Sequence, residues 1–329
     1  MPLLSVLDLV PVLEGHTVAD ALKRAPELAA HVESLGYHRY WVAEHHGMPA
    51  IASAATSVVL AHVGPSTSRI RIGAGGIMLP NHSPLVIAEQ FGTLETLFPG
   101  RVDLGLGRAA GADQRVARAL RRNANAHPDD FPRDVLELQA FLAGDPELPI
   151  TAIPGAGTNV PLWILGSSLY GAQLAAAFGL PYAFASHFAP QMLDQAIAIY
   201  RERFQPSEAL KAPRVMAALN VVAAESDEEA KFLFTSQQQA VLALRTTGPA
   251  PMPAPVEGFY EGLPPPAQHM VDQFLECSAV GSPGTVKAGL ERFAERTGAD
   301  EVIVTGRIFD FEKQKRSFAL LAEVAKSIA

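Results

Sequence analysis

The sequence predicts a (β/α)8 barrel of the TIM type, and three observations carry that expectation. Eight short strand-like runs recur along the 329 residues, with segments of helical period between them. The runs are continuously apolar where a half-exposed strand would alternate, which is the pattern of a parallel sheet covered on both faces. Helix-starting Ser, Thr and Pro residues and helix-stopping glycines punctuate the runs, and no stretch has the composition of a linker. Length alone allows about two domains, but barrels of about 250 residues are single units. The chain therefore reads as one domain over 1–329, with insertions at about 109–160 and 246–281.

Residues 3–9 are the first strand. Thr17 and Asp20 make a Thr-x-x-Asp capping signal that opens a helix with Val18, Leu22, Ala25, Ala29 and Val32 on one stripe, and Gly36 ends it. Residues 40–43 are the second strand, running into Glu44-His45-His46, and a small-residue helix covers 53–63. The third strand is 70–79, Pro84 starts a helix to about 98, and 101–106 is the fourth strand. Helical pieces near 113–122 and 132–142 occupy the first long connection. Strand five is 161–165 with a helix over 168–178 that Gly179 ends; strand six is 181–185 with a helix over 190–204. Strand seven is 214–223, followed by a helix over 227–245. The stretch 246–268 carries seven prolines and reads either as an irregular lid or binding loop or as a merely stiff surface excursion. Ser282-Pro283 starts a helix that Gly298 ends, 301–305 is the eighth strand, and a last helix covers 312–328.

With 48% hydrophobic residues, the chain has a sizeable core and little room for disorder. A formal charge of -8 and a pI near 5.7 argue against a nucleic-acid or anionic-membrane partner. The densest basic cluster, Arg115, Arg118, Arg121 and Arg122, reads as a solvated helix face. The N-terminus lacks the basic flank of a signal peptide, and no apolar run reaches the roughly 18 residues of a membrane span, so a soluble cytoplasmic protein is expected. The one cysteine, Cys277, cannot form an internal disulfide and reads as a small buried hydrophobe in a reducing compartment. None of the ten histidines forms His-x-His or His-Glu-x-x-His, so no metal is expected.

In such barrels the chemistry sits where strands end and the following loops begin. That rule selects Asp8, Glu44-His45-His46, the Gly73-Ala74-Gly75-Gly76 run with Asn81 and His82, Gly107-Arg108, Gly166-Ser167-Ser168, and Ser186-His187. His45 and His46 point to opposite sides of a strand, so only one faces the barrel mouth, where an imidazole suits acid–base work. Three glycines inside the third strand point to a bulge, or to a flat ligand close to the backbone. Arg108 reads as a forked cation for a phosphate. Gly166-Ser167-Ser168 opens a helix whose hydroxyls and free N–H groups form an anion site. The run from Gly105 to Gly111 loosely mimics a dinucleotide loop, but it follows the fourth strand and lacks the acidic strand end about twenty residues on. Asp8, Asn81 and His82 are assigned to the substrate side.

Five motifs occur together and in order: Trp41-Val42-Ala43-Glu44-His45-His46, Gly73-Ala74-Gly75-Gly76-Ile77-Met78-Leu79-Pro80, Ala88-Glu89-Gln90, Gly105-Leu106-Gly107-Arg108 and Trp163-Ile164-Leu165-Gly166-Ser167-Ser168. With Gly281-Ser282-Pro283-Gly284-Thr285-Val286 they span nearly the whole chain, and the set resembles the bacterial-luciferase-like flavin-dependent oxidoreductases. The resemblance implies a barrel that binds FMN, or in one branch the deazaflavin F420, at its C-terminal mouth. By position, His45 matches the histidine that acts beside the flavin, and the Gly75–Gly76 bond matches a non-proline cis peptide behind the ring. Arg108, Gly166, Ser167 and Ser168 match positions around the flavin phosphate. Ser167 stands where the luciferase α chain has an acidic residue, and Gly107 where it has a reactive cysteine, so the resemblance does not extend to light emission. The implied activity is that of a monooxygenase using externally reduced FMN and O2 on a small apolar organic substrate. With no NAD(P)H motif in the chain, a separate NAD(P)H:flavin reductase is the expected partner, and a homodimer the expected assembly. The alternatives are an F420-dependent hydride-transfer oxidoreductase of the same superfamily and a non-catalytic flavin-binding protein.

Overall fold

Eight parallel strands close on themselves in a computed structural model that describes residues 2–108, 116, 119, 120 and 130–328. They are β1 (Leu3–Asp8), β2 (Arg39–Val42), β3 (Arg71–Met78), β4 (Val102–Gly107), β5 (Leu162–Gly166), β6 (Tyr182–Phe184), β7 (Val215–Ala223) and, after an intervening β8 (Ser278–Gly281), β9 (Glu301–Thr305). Each barrel strand pairs in parallel with the next, and β9 returns to β1 through Leu3↔Glu301 to Val6↔Val304. Helices α1 (Val18–Leu35), α2 (Thr56–Val63), α3 (Pro84–Leu97), α4 (Phe131–Ala143), α5 (Leu169–Phe178), α6 (Leu193–Arg203), α7 (Asp227–Thr246), α8 (Pro265–Phe274), α9 (Pro283–Thr297) and α10 (Phe311–Ile328) fill the connections.

The local signals act as the sequence predicts. Thr17 accepts from the Asp20 N–H while the Asp20 carboxylate accepts from the Thr17 N–H, and Gly36 closes α1 in the left-handed conformation at φ 91°. Three expectations change. The small-residue helix starts at Thr56, three residues later than the sequence indicates. The proline-rich segment is not irregular throughout, because Pro265 and Pro266 sit in the first turn of α8, where a missing N–H costs nothing. A ninth strand, β8, follows that helix. Asn220 of β7 pairs with Thr305 on one edge and with Ser278 on the other, so β8 takes over the edge that the three-residue β6 leaves after Phe184↔Ala217. Its four residues and half-buried pattern gave no apolar run to recognise. The expected helix at 113–122 and its arginine cluster lie outside the described residues, apart from Val116, Ala119 and Leu120, which are helical.

Alternation along the strands divides the core in two. Leu7, Leu9, Trp41, Ala43, Trp163, Ala183, Met216, Ala218 and Ile303 fill the barrel interior. Their neighbours Val6, Tyr40, Val42, Ile164, Tyr182, Ala217 and Val304 pack outward beneath the helices. Between β3 and β4 the register shifts from Ala74 to Ile77, which is the expected bulge, and the Gly75–Gly76 peptide is cis. A Cβ on Gly73 would lie 2.5 Å from the Asp103 carbonyl oxygen, and one on Gly76 would lie 2.5 Å from that of Gly105. Close backbone approach of two strands therefore accounts for both glycines.

The N-terminal end of the barrel is plugged by charge. Arg39 donates from Nη1 to Asp103 Oδ2 and from Nε to Glu301 Oε1, both at 2.6 Å. Arg71 reaches Asp103 at 2.6 Å, Arg214 reaches Glu301 at 3.4 Å, and Ser5 donates to Glu301. Above them the Trp41 and Trp163 rings meet edge to face at 5.6 Å, with the Arg39 guanidinium over both. A cavity of about 600 Å³ lined by Arg39, Arg71, Asp103 and Arg214 belongs to this end, away from the strand C-termini.

Candidate active site

The interior parity continues past the strand ends and assembles the mouth. On β2 the inward series Arg39, Trp41, Ala43 leads to His45. The series Ala183, Ala185 leads to His187 after β6, and Glu301, Ile303, Thr305 leads to Arg307 after β9. Side chains from three separated strands thus converge, and both Arg307 and His45 act electrostatically on His187. His187 is 8% exposed, and its Nδ1 has no hydrogen-bond partner. Burial, with the nearby Arg307 and His45 charges, pushes its pKa down to about 3, so the ring is neutral at ordinary pH. His45 is half-buried.

The opposite parity on the same segment builds a second cluster. Glu44 is 1% exposed and accepts from His46 Nε2 at 2.7 Å, His82 Nε2 at 2.9 Å, the Met78 N–H at 3.0 Å and Asn81 Nδ2 at 3.3 Å. Burial opposes ionisation of Glu44, but the His82, Met78 and His46 bonds outweigh it and hold the carboxyl below its usual range. Glu44, His46 and His82 bring one ligand-type atom each within 4.8 Å of one another, a grouping that no sequence spacing announces. The separations are those of a carboxylate bonded to two imidazole N–H groups. Asn81 and His82, expected on the substrate side, are therefore brought to Glu44.

Asp8 is not brought to the mouth. Its side chain is on the outward parity of β1, where Tyr40 Oη donates to it at 2.5 Å and the Val10 N–H at 2.8 Å. Burial raises its pKa against those two bonds. The strand-end rule selected the position and ignored which face it occupies.

On the β4–β5 side, Arg108 is exposed and forms no ion pair among the described residues, and its guanidinium lies 3.9 Å from the centroid of the Tyr170 ring in the first turn of α5. Ser168 is the N-cap of that helix with extended backbone, yet its hydroxyl caps no N–H. Ser167 and Ser168 are exposed, and a Cβ on Gly166 would lie 3.5 Å from the Gly171 Cα. The cation, two hydroxyls with no hydrogen bond among the described residues and an uncapped helix start make an arrangement that fits a phosphate monoester. Cys277, by contrast, is buried, with its thiol pushed up to about 11 by burial, and is no nucleophile.

Arg307 is the residue that sequence reasoning missed. The signal was present, because β9 runs into Gly306-Arg307 as β4 runs into Gly107-Arg108.

The sequence profile described as "luciferase-like monooxygenase" matches residues 4–301. The chain belongs to that family. A luciferase-like monooxygenase of Escherichia coli (strain K12) is 50% identical over 98% of this chain and 97% of its own length. An N-acetyl-S-alkylcysteine monooxygenase of Bacillus subtilis is 35% identical over 74% of each chain. Among solved structures, apo-MsnO8 superposes with a TM-score of 0.93 at 36% identity, covering 99% of both chains. The oxygenating constituent of 3,6-diketocamphane monooxygenase from Pseudomonas putida, in complex with FMN, has a TM-score of 0.74 at 19% identity over 100% of this chain and 99% of that one. An F420-dependent secondary alcohol dehydrogenase has a TM-score of 0.73 at 16% identity over the same shares. These last two share the luciferase-like fold and carry no more than that. Among the described residues, no helix of this luciferase-like chain is long and apolar enough to cross a membrane.

Proposed function

We propose that the chain is an FMN-dependent monooxygenase that receives reduced FMN from a separate NAD(P)H:flavin reductase and uses O2 to oxygenate a small organic substrate with an apolar body. The observation that carries the cofactor reading is Arg108 held against Tyr170 beside the uncapped Ser168. FMN, when bound, supplies the redox chemistry and the activation of O2.

The rest of the work falls to this chain's own residues. Arg108, the hydroxyls of Ser167 and Ser168 and the first N–H groups of α5 would hold the phosphate. Gly166 lets the chain turn close to that group. The Gly75–Gly76 segment of β3, which carries no side chain, would back the flat ring. His45 holds or returns a proton at an imidazole nitrogen facing the reacting centre. The plug of Trp41, Trp163 and Arg39 keeps water from entering below. The same reading places the enzyme in the cytoplasm as a homodimer, which sedimentation checks.

Fluorescence titration with FMN, riboflavin and F420 tests the assignment. FMN is expected to bind more tightly than riboflavin, and Arg108→Ala to weaken FMN by about 10- to 100-fold, the loss of one or two charge-assisted bonds. Riboflavin affinity should barely move. Equal weakening of both flavins removes the phosphate role, and tight F420 binding with no affinity for FMN replaces the cofactor. His45→Ala should keep FMN binding while turnover with reduced FMN collapses; unchanged turnover removes its role.

A further inference from the structure

The β6–β7–β9 side of the mouth is built differently from the phosphate side. Asn220 of β7 donates to the His187 carbonyl at 2.7 Å and accepts from Gln237 Nε2 at 2.6 Å, and it pairs in register with Thr305. These contacts tie His187, Gln237 and the end of β9 into one patch. Four polar atoms of this patch are buried without a hydrogen-bond partner: His187 Nδ1, Gln237 Oε1, Thr305 Oγ1 and Arg307 Nε. Buried polar atoms are ordinarily satisfied, so a concentration of unsatisfied ones, three on inward-facing strand-end residues and one on Gln237 of α7, marks a place that a ligand completes.

The charge says which ligand. Arg307 makes no ion pair and no hydrogen bond among the described residues, although Arg39, Arg71 and Arg214 at the other end each hold a carboxylate. Burial lowers its pKa to about 10, still well above neutrality, so the guanidinium stays charged. His187 beside it is neutral, and the other residues of the patch, Asn220, Gln237 and Thr305, carry no charge. The patch is therefore net positive, and a half-buried cation with no counter-charge is costly unless an anion joins it.

We propose that Arg307, supported by His187 and Thr305, forms an anion subsite that binds a carboxylate on the substrate, so that the enzyme acts on organic acids with an apolar body. A guanidinium fork matches a carboxylate in two parallel bonds. The flavin phosphate does not occupy this subsite, because Arg108 follows β4 and Arg307 follows β9, which stand four strands apart in the eight-stranded ring. The assignment of that phosphate to Arg108 rests on the function proposed above.

The test compares hexanoate with its neutral isostere hexanamide by calorimetry, on the flavin-free chain and on the FMN-loaded chain. Wild type should prefer hexanoate by about tenfold or more, Arg307→Lys should keep part of the preference, and Arg307→Gln should abolish it, with FMN affinity unchanged throughout. Equal binding of the acid and the amide by wild type, or a preference that survives in Arg307→Gln, overturns the proposal. So does a tenfold loss of FMN affinity in Arg307→Gln, which would give Arg307 to the cofactor. Folding offers a second readout. If Arg307 lacks a protein counter-charge, Arg307→Met unfolds at equal or higher urea concentration than wild type, whereas a clear fall would make Arg307 structural. Failure of FMN to bind wild type defeats the cofactor reading alone, because the flavin-free arm still reports on the carboxylate.

Discussion

Replacing Glu44 with Gln is a near-isosteric change at the most connected carboxylate of the candidate site. Oε1 faces His46, Asn81 and one contact from His82, while Oε2 faces the Met78 N–H and the second contact from His82. All of these partners donate, and a glutamine amide offers one oxygen and one NH2. With the amide nitrogen at the Oε2 position, the Met78 N–H is buried against a donor; with the flip, His46 and Asn81 are. Leaving one buried donor unsatisfied costs about 1–3 kcal/mol, and loss of charge assistance at the other bonds adds roughly 1 kcal/mol. Glu44→Gln should therefore lose about 3 kcal/mol in urea unfolding at pH 7, read as a lower midpoint with an unchanged slope. The sign with pH follows from the depressed pKa. The carboxylate's contribution is complete above the unfolded value of 4.5 and is lost as pH falls through the lower folded value, so the gap between wild type and variant should shrink in acid. A loss below about 1 kcal/mol at pH 7, or a gap that widens as pH falls, would refute the hydrogen-bond accounting.

Two further outcomes are expected. Arg39→Met strands Asp103 and Glu301 at the barrel floor with weaker partners and should cost about 3–5 kcal/mol in urea unfolding, while affinity for FMN, proposed to bind at the other end, should stay the same. A cost under about 1 kcal/mol would show that Arg71 and Arg214 suffice. Glu33 accepts N–H bonds from Ser68, Arg69 and Ile70 ahead of β3, and these, working against a burial penalty, hold its carboxyl down at about 2 from 4.5. Allowing for solvent screening, Glu33→Gln should lose about 2 kcal/mol above pH 4.5, and the difference should fade toward pH 2. A pH-independent difference in stability curves would contradict that.

The barrel was legible in the sequence because its signals are local. Capping residues sit within a turn of what they cap, and a strand buried on both faces has to be apolar along its length. Gly75-Gly76 and Ser167-Ser168 stood out for the same reason, since their unusual residues are neighbours in the chain. What escaped depends on partners far apart or on which face a residue takes. His82 joins Glu44 across 38 positions, so no motif of fixed spacing contains both. Asp8 ends a strand as Arg307 nearly does, but its parity turns it toward Tyr40 and away from the mouth. The strand β8 was hidden because its four residues extend an existing edge and bury only alternate side chains. Arg307 carries the same Gly-Arg strand-end signal as Arg108, but its isolation from any carboxylate among the described residues depends on folded partners and is visible only in the structure.

The plugged floor has a consequence for kinetics. With Arg39, Asp103, Glu301 and the two tryptophans closing one end and the interior packed above them, the mouth of the barrel is a blind well with one opening. Molecules stacked in such a well follow last in, first out. On the proposed function, a flavin against β3 would enter before the substrate that covers it, and would not leave until the product above it had gone. Turnover then has a compulsory order, and excess substrate arriving first would trap the enzyme in a dead-end complex. Inhibition by substrate that is relieved by adding reduced FMN is the pattern such a well should produce.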